Sequence, residues 1–263
     1  MARPFATLVV CSIDAARYER CIARYRALLG AGDHEIIGIH DAASLASAYN
    51  WAARRAAGEI VVFSHDDVEI VSADLVPALR RAFASLDVVG VAGTSLVVDA
   101  YWPRAGAPHL HGWMASPGPD GYTVNVYGVE AAATPGLEAL DGAFFAARAE
   151  VLGRVRFDET TFDGFHGYDV DFTFRAHEAG FRVGTCAGIA LIHGSAGSFG
   201  GDWARYAARF AAKHRAALAG RVAARSWPMA AIKVATKEEI ARSFPLATLR
   251  EITARLRAGT PPR

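Results

Sequence analysis

Four short runs rich in β-branched residues punctuate the first 92 residues, at 5–13, 35–40, 60–64 and 88–92. Helical patterns fill the gaps between them. Asp14 stands where a helix cap is wanted, and apolar residues follow at Tyr18, Cys21, Ile22, Tyr25, Leu28 and Leu29 before Gly30. Ser44 opens a second helical stretch closed by Gly58, and residues 72–86 form a third. The order β-α-β-α-β-α-β sends each strand through a helix to the next. That connection predicts an α/β fold with a mostly parallel central sheet flanked by helices, a Rossmann-type sandwich. Ligands in such sheets sit beyond the carboxyl ends of the strands.

The third of those strands runs into VVFSHDDVEI and stops at His65-Asp66-Asp67. Neighbouring carboxylates repel, and burying them unpaired is costly. The pair is either a solvated turn or holds a cation. Side chains alternate along a strand, so His65 and Asp67 share one side and Asp66 takes the other, where turn backbone N–H groups are within reach. A second acidic pair, Asp169 and Asp171, sits at the start of a helix expected over 169–179, with Gly180 as its stop. Residues two apart on a helix point about 200° apart, so one pocket takes only one of them. Asp171 has Arg175 at ion-pair spacing, and Asp169 is placed to cap the helix or to face a cleft. His193 ends an apolar strand before the Gly-Ser segment HGSAGS. It reads either as a structural histidine or as a ligand.

The remaining second half is less regular. Residues 99–120 read as a long loop carrying Trp102, His109, His111 and Trp113, either cleft walls or buried anchors. Residues 122–129 read as a strand, 140–152 as a small-residue turn leading into a helix, and 181–192 as a strand region. Trp203, Tyr206, Phe210, Ala211 and Leu218 mark one helical stripe.

Length and composition, at 263 residues, 52% hydrophobic and 21% charged, suit one large core with an appendage. The division expected is a domain over 1–202 and a basic helical extension over 203–263. The charge splits at that boundary. Residues 203–263 hold 13 Lys/Arg and 3 Asp/Glu, a balance of +10, out of 28 and 27 in the chain; residues 1–202 therefore carry 15 and 24, a balance of −9. The basic segment either meets an anionic surface, such as a lipid-linked acceptor or a membrane, or pairs back onto the acidic body. Cys11, Cys21 and Cys186 form no metal or disulfide spacing, which suits a reducing compartment. The start MARPFATLVVCSI lacks a small-residue cleavage site and reads as the first strand rather than a signal peptide. Glycines interrupt the uncharged stretch 183–201 too often for a membrane span.

In this order, the segments ASAYNWAARRAAGEIVVFSHDDV, LDGAFFAARAEVL, FDETTFDGFHGYDVDFTFRAHEAGFRVG and LIHGSAGS resemble the family 2 glycosyltransferases of GT-A fold. The likeness is to a bacterial branch that writes its Asp-x-Asp element as His-x-Asp, and it spans residues 5–200. It implies a metal-dependent, inverting hexosyl- or related transferase that uses a nucleotide-diphosphate sugar, with a UDP-sugar the first expected. The acceptor would be a glycan, a lipid-linked group or a protein, in bacterial surface glycan or glycoconjugate synthesis. The setting would be cytoplasmic, with contact at the inner face of the membrane, and no nucleic-acid partner is expected.

The same resemblance assigns roles. Asp67, with His65 and His193, would hold Mn2+ or Mg2+ on the donor diphosphate. Val10, Cys11, Ser12, Asp41, Asn50 and Asp66 would meet the donor nucleotide. Asp169 would be the catalytic base, and Asp141, Gly142, Trp113, Tyr168 and Asp171 would line the sugar and acceptor cleft. Three positions depart from the family pattern: His65 stands for the first Asp, Tyr168 for the Glu before the base, and His40-Asp41-Ala42-Ala43-Ser44 for an Asp-Asp-Gly-Ser run. Two other classes compete. A non-catalytic nucleotide-sugar-binding module would bind donor without turnover. A metal-dependent hydrolase or nucleotidyltransferase would release phosphate or pyrophosphate instead of a nucleoside diphosphate.

Overall fold

The computed structural model describes residues 3–30, 34–195, 197, 199–224 and 229–259. Ala196 and Ser198 of the Gly-Ser segment, the first two residues and 260–263 lie outside the described residues. The amino-terminal half follows the expected alternation: β1 (Ala6–Cys11), α1 (Ala15–Leu29), β2 (His34–Ile39), α2 (Leu45–Ala53), β3 (Ile60–His65), β4 (Val68–Ile70), α3 (Leu75–Phe83) and β5 (Val88–Gly90). The caps follow sequence chemistry. The Asp14 carboxylate accepts from the Arg17 N–H, and Gly30 ends α1 at φ 71°. The Ser44 hydroxyl accepts from the Ser47 N–H at the start of α2.

The second half contributes β6 (Ala92–Thr94), β7 (Leu110–Gly118), β8 (Gly121–Gly128), β9 (Ala133–Pro135), β10 (Ala139–Leu140), β11 (Phe144–Arg148), α4 (Ala149–Arg154) and α5 (Tyr168–Glu178). After these come β12 (Val183–Cys186), β13 (Leu191–His193), α6 (Gly201–Lys213), α7 (Arg215–Leu218), β14 (Ala230–Val234), α8 (Lys237–Ser243) and α9 (Leu246–Arg257).

The central sheet has the order β2-β1-β3-β11-β5-β12-β9. Pairings β1/β2, β1/β3 and β5/β12 are parallel, as the crossovers require. Five of its seven strands run the same way, and β11 and β9 are the exceptions. β11 lies antiparallel between β3 and β5, and β9 lies antiparallel on β12. The FFAAR segment of β11 was expected to lead into a helix. Four of its five residues are buried, and such a short apolar run carries no period to distinguish strand from helix.

A second sheet, β10-β6-β7-β13-β4, carries β8 on β7 and β14 on β8. It overturns one expectation and extends another. Residues 99–120 are not one long loop, since β7 pairs with β6, β8 and β13. The segment after Trp203 is mainly helical, as expected, in α6, α7, α8 and α9, and it also adds a strand to the body. β14 pairs antiparallel with β8, and Ile240, Leu249, Ile252 and Leu256 close a second core over Trp113, Val124 and Val126. Tyr206 and Phe210 of α6 join the main core.

Part of the charge split is met within the molecule. Arg209 pairs with Asp163, Lys213 with Asp158 and Asp171, Arg221 with Glu138, Lys237 with Glu69, and Arg257 with Glu130. Five cations of the basic segment thus meet carboxylates of the acidic body. Among the described residues, no helix is long and apolar enough to cross a membrane.

Candidate active site

Pairing of β4 with β13 sets His193 opposite Val68, and the Gly194 N–H donates to the Asp67 carbonyl at 2.9 Å. A residue from late in the chain therefore arrives beside the turn that ends β3. His65 Nδ1 lies 3.4 Å from His193 Nε2, which lies 3.5 Å from Asp67 Oδ1. The potential ligand atoms of His65, Asp67 and His193 all fall within 4.8 Å of one another. Two imidazole nitrogens and a carboxylate oxygen, partly shielded from water, suit a divalent cation.

The electrostatics agree with that donor set. Burial, and then the neighbouring His193, lower the His65 pKa and keep its imidazole neutral, the form that ligates a metal. Burial works against the Asp67 carboxylate, but the hydrogen bond and charge of His193 outweigh it and hold Asp67 well below the usual range. Burial likewise opposes a charged His193, and Asp67 reverses the effect, raising its pKa. The Tyr168 hydroxyl lies 2.8 Å from His65 Nε2 and so orients the ring. Tyr168 is itself buried.

Asp66 faces away from this group. It accepts from the Ser12 hydroxyl at 2.6 Å and lies 3.6 Å from Arg17. The Ser12 carbonyl in turn lies 3.0 Å from His40 Nδ1. Cys11 sits at the end of β1, with burial pushing its thiol up to about 12, which makes it unreactive. Asp41 lines a separate groove with His40, Trp51 and Arg54.

Asp169 stands in the first turn of α5, whose N-cap Gly167 takes φ 78°. Burial, and then the charge of Asp141, push its carboxyl up to about 7, while backbone N–H groups including that of Gly142 oppose the rise. Gly142 leaves the room this requires, since a Cβ there would lie 2.5 Å from Asp169 Oδ2. Asp141 is fixed by the Trp102 indole N–H at 3.0 Å and the Ala143 N–H at 2.9 Å. Asp169, Asp141, Gly142, Tyr168, His65 and His193 all line one cleft of about 330 Å³.

Several further expected site residues do not line this cleft. Asp171 is fully buried and bonds Arg175, Lys213 and His214 on the far side of α5. The two-residue offset on the helix separates it from Asp169. Trp113 points into the second core and donates to the Ala187 carbonyl, because strand alternation gives the cleft to Met114 and Ser116 instead. Asn50 is buried and spends its amide on Phe157, donating to the carbonyl and accepting from the N–H. It staples the segment before α5. Val10 is fully enclosed in the core. His109 and His111 bond Ser95 and do not line the cleft.

Several cleft residues escaped the sequence reading: Tyr101, Asn125, Tyr127, Phe199 and Trp203. The signal for two of them was present. Val124 and Val126 are buried in β8, so Asn125 and Tyr127 take the opposite face.

A sequence profile described as a glycosyltransferase-like family matches residues 7–210. No curated protein matches the sequence. Among solved structures, a mannosyltransferase from Pyrobaculum calidifontis, PcManGT in complex with GDP-Man and Mn2+, is 15% identical with a TM-score of 0.47, over 98% of this chain and 75% of that one. GalNAc-T7 with UDP, GalNAc and Mn2+ is 10% identical with a TM-score of 0.46, over 73% of this chain and 44% of that one.

Proposed function

Since the chain belongs to the glycosyltransferase-like family, we propose that it moves a sugar from a nucleotide-diphosphate sugar, a UDP-sugar first among donors, onto an acceptor hydroxyl with inversion. The observation that carries this reading is a base and a cation-binding group facing one cleft. Asp169 is half-buried with its carboxyl pushed up to about 7, and it shares that cleft with His65 and His193. A base titrating near working pH is suited to taking a proton from an attacking hydroxyl.

In the proposed step the acceptor oxygen attacks the anomeric carbon from the face opposite the leaving group. The new glycosidic bond forms as the bond to the diphosphate oxygen breaks, and the hydroxyl proton passes to a carboxylate oxygen of Asp169. Asp141 keeps Asp169 basic by its charge, and the Gly142 N–H holds the carboxylate in place. His65, Asp67 and His193 would hold Mn2+ or Mg2+, which when bound offsets the charge of the departing nucleoside diphosphate. Tyr168 meets His65 Nε2 and orients its ring.

A cytoplasmic setting belongs to the same proposal, supported by the free Cys11, Cys21 and Cys186. Membrane contact is left out of it, since five of the thirteen cations of the basic segment pair onto the body. A glycan, a lipid-linked group and a protein stay in the acceptor panel.

The test is release of nucleoside diphosphate from UDP-, GDP- and dTDP-sugars with Mn2+ or Mg2+ and a mixed acceptor pool. Release that disappears in Asp169→Asn and in EDTA is expected. Release of inorganic phosphate or pyrophosphate would replace this reading with a hydrolase or nucleotidyltransferase. Donor binding with no release in any acceptor pool would leave a binding module.

A further inference from the structure

Among the described residues, the two phenylalanines that stand exposed are Phe165 and Phe199, at 53% and 56%, and both line the cleft that holds Asp169. Apolar rings left in water at one site mark a binding surface. Phe199 does not stand alone. Its ring lies 5.3 Å from Tyr101 at 86° and 5.5 Å from Trp203 at 72°, while Tyr101 and Trp203 are 6.2 Å apart at 87°. Edge-to-face packing of this kind holds the rings as a fixed wall instead of letting them collapse into one another. The wall joins two parts of the chain, because Tyr101 precedes the 3-10 turn Trp102–Ala105 and Trp203 sits in the first turn of α6.

The opposite lining is polar. Ser116 of β7, Asn125 of β8 and His166 before α5 face the same space. A hydrocarbon chain would cover these groups and leave their hydrogen bonds unmade. A pyranose presents both surfaces that the cleft offers, a face of C–H groups for the rings and a rim of hydroxyls for the polar side chains. From this juxtaposition we infer that the cleft binds a sugar ring as acceptor, with Phe199 stacking on its C–H face, Trp203 bracing the Phe199 ring edge-to-face, and a sugar hydroxyl directed at Asp169. The inference rests on the transferase reading for its use in catalysis, but the sugar site itself is testable without turnover.

The experiment is calorimetric titration of the full chain with methyl hexopyranosides, maltose, cellobiose and lactose, with farnesyl phosphate as the lipid probe. Nucleoside diphosphates with Mn2+ are titrated in parallel. At least one sugar is expected to bind, weakened tenfold or more by Phe199→Ala and by Trp203→Ala, with nucleotide affinity unchanged. Phe199 is exposed, so its substitution leaves the core intact, and Trp203→Phe is expected to restore part of the affinity. Sugar binding that ignores both variants overturns the inference. So does farnesyl phosphate binding without sugar binding, or the absence of any sugar binding while nucleotide still binds. Variant-sensitive sugar binding with no nucleotide affinity would uphold the sugar wall and sink the transferase reading instead.

Discussion

Asp169 concentrates the chemistry at the scale of single residues. An Asp in an unfolded chain titrates at about 3.9, and here burial and Asp141 push the folded value up to about 7. Below that pH the base is protonated, so kcat/KM should climb as pH rises through about 7 and level off above it. Asp169→Asn should remove that limb and lower kcat by about 10²- to 10⁴-fold. The same shift has a stability consequence. Between the unfolded and folded values the native state holds the extra proton, so stability falls as pH rises through that window. Asp169→Asn should therefore melt higher than the parent at pH 8 and converge with it towards pH 4, as thermal scans would read. Gly142→Ala offers a second check. Its methyl group would meet Asp169 Oδ2 at 2.5 Å and displace it, so kcat should fall at least about tenfold while the circular dichroism spectrum stays unchanged.

At the scale of elements, α5 serves two sides at once. Its first turn sends Asp169 into the cleft, and Asp171 ties the opposite side to α6 and α7 through Lys213 and His214. Burial disfavours the Asp171 charge, but the His214 hydrogen bond and the cations of Arg175 and Lys213 reverse that and lower its pKa. Its contribution is therefore present above the unfolded value and is lost as pH falls. Removing one partner of a buried ion cluster typically costs about 3–5 kcal/mol. Asp171→Ala should destabilise by that order at pH 7 in denaturant titration, and by less in acid. A loss of activity at full stability would instead put Asp171 in the cleft. Strand alternation explains why the walls are hard to assign locally. β7 and β8 each have one face in the second core and one in the cleft, and a shift of one residue exchanges them.

At the scale of the whole molecule, the carboxyl-terminal segment completes the fold. β14 covers the edge of β8, and α8 and α9 cover Trp113, Val124 and Val126. A chain ending at residue 224 would expose that core and a strand edge together, a combination that promotes aggregation. Such a truncation should be insoluble or bind 1-anilinonaphthalene-8-sulfonate strongly. A soluble, cooperatively melting product would show that residues 1–224 fold alone.

The sequence by itself determined the local features. The Asp14 and Ser44 caps, the alternation through β5 and the stop of β3 at His65-Asp66-Asp67 were all legible, because each depends on neighbouring residues. The division of Asp66 from Asp67 followed from strand period alone. The partners belonged to the tertiary structure. Nothing within FFAAR says that it runs antiparallel between β3 and β5, and AAIKV, two of whose five residues are exposed, does not announce a partner in β8. Asn50 and Trp113 have the right chemistry for a site and are spent on the fold. Periodicity says which residues of an element share a face. Which element that face meets depends on contacts between segments far apart in the chain, as when β13 brings His193 to Asp67.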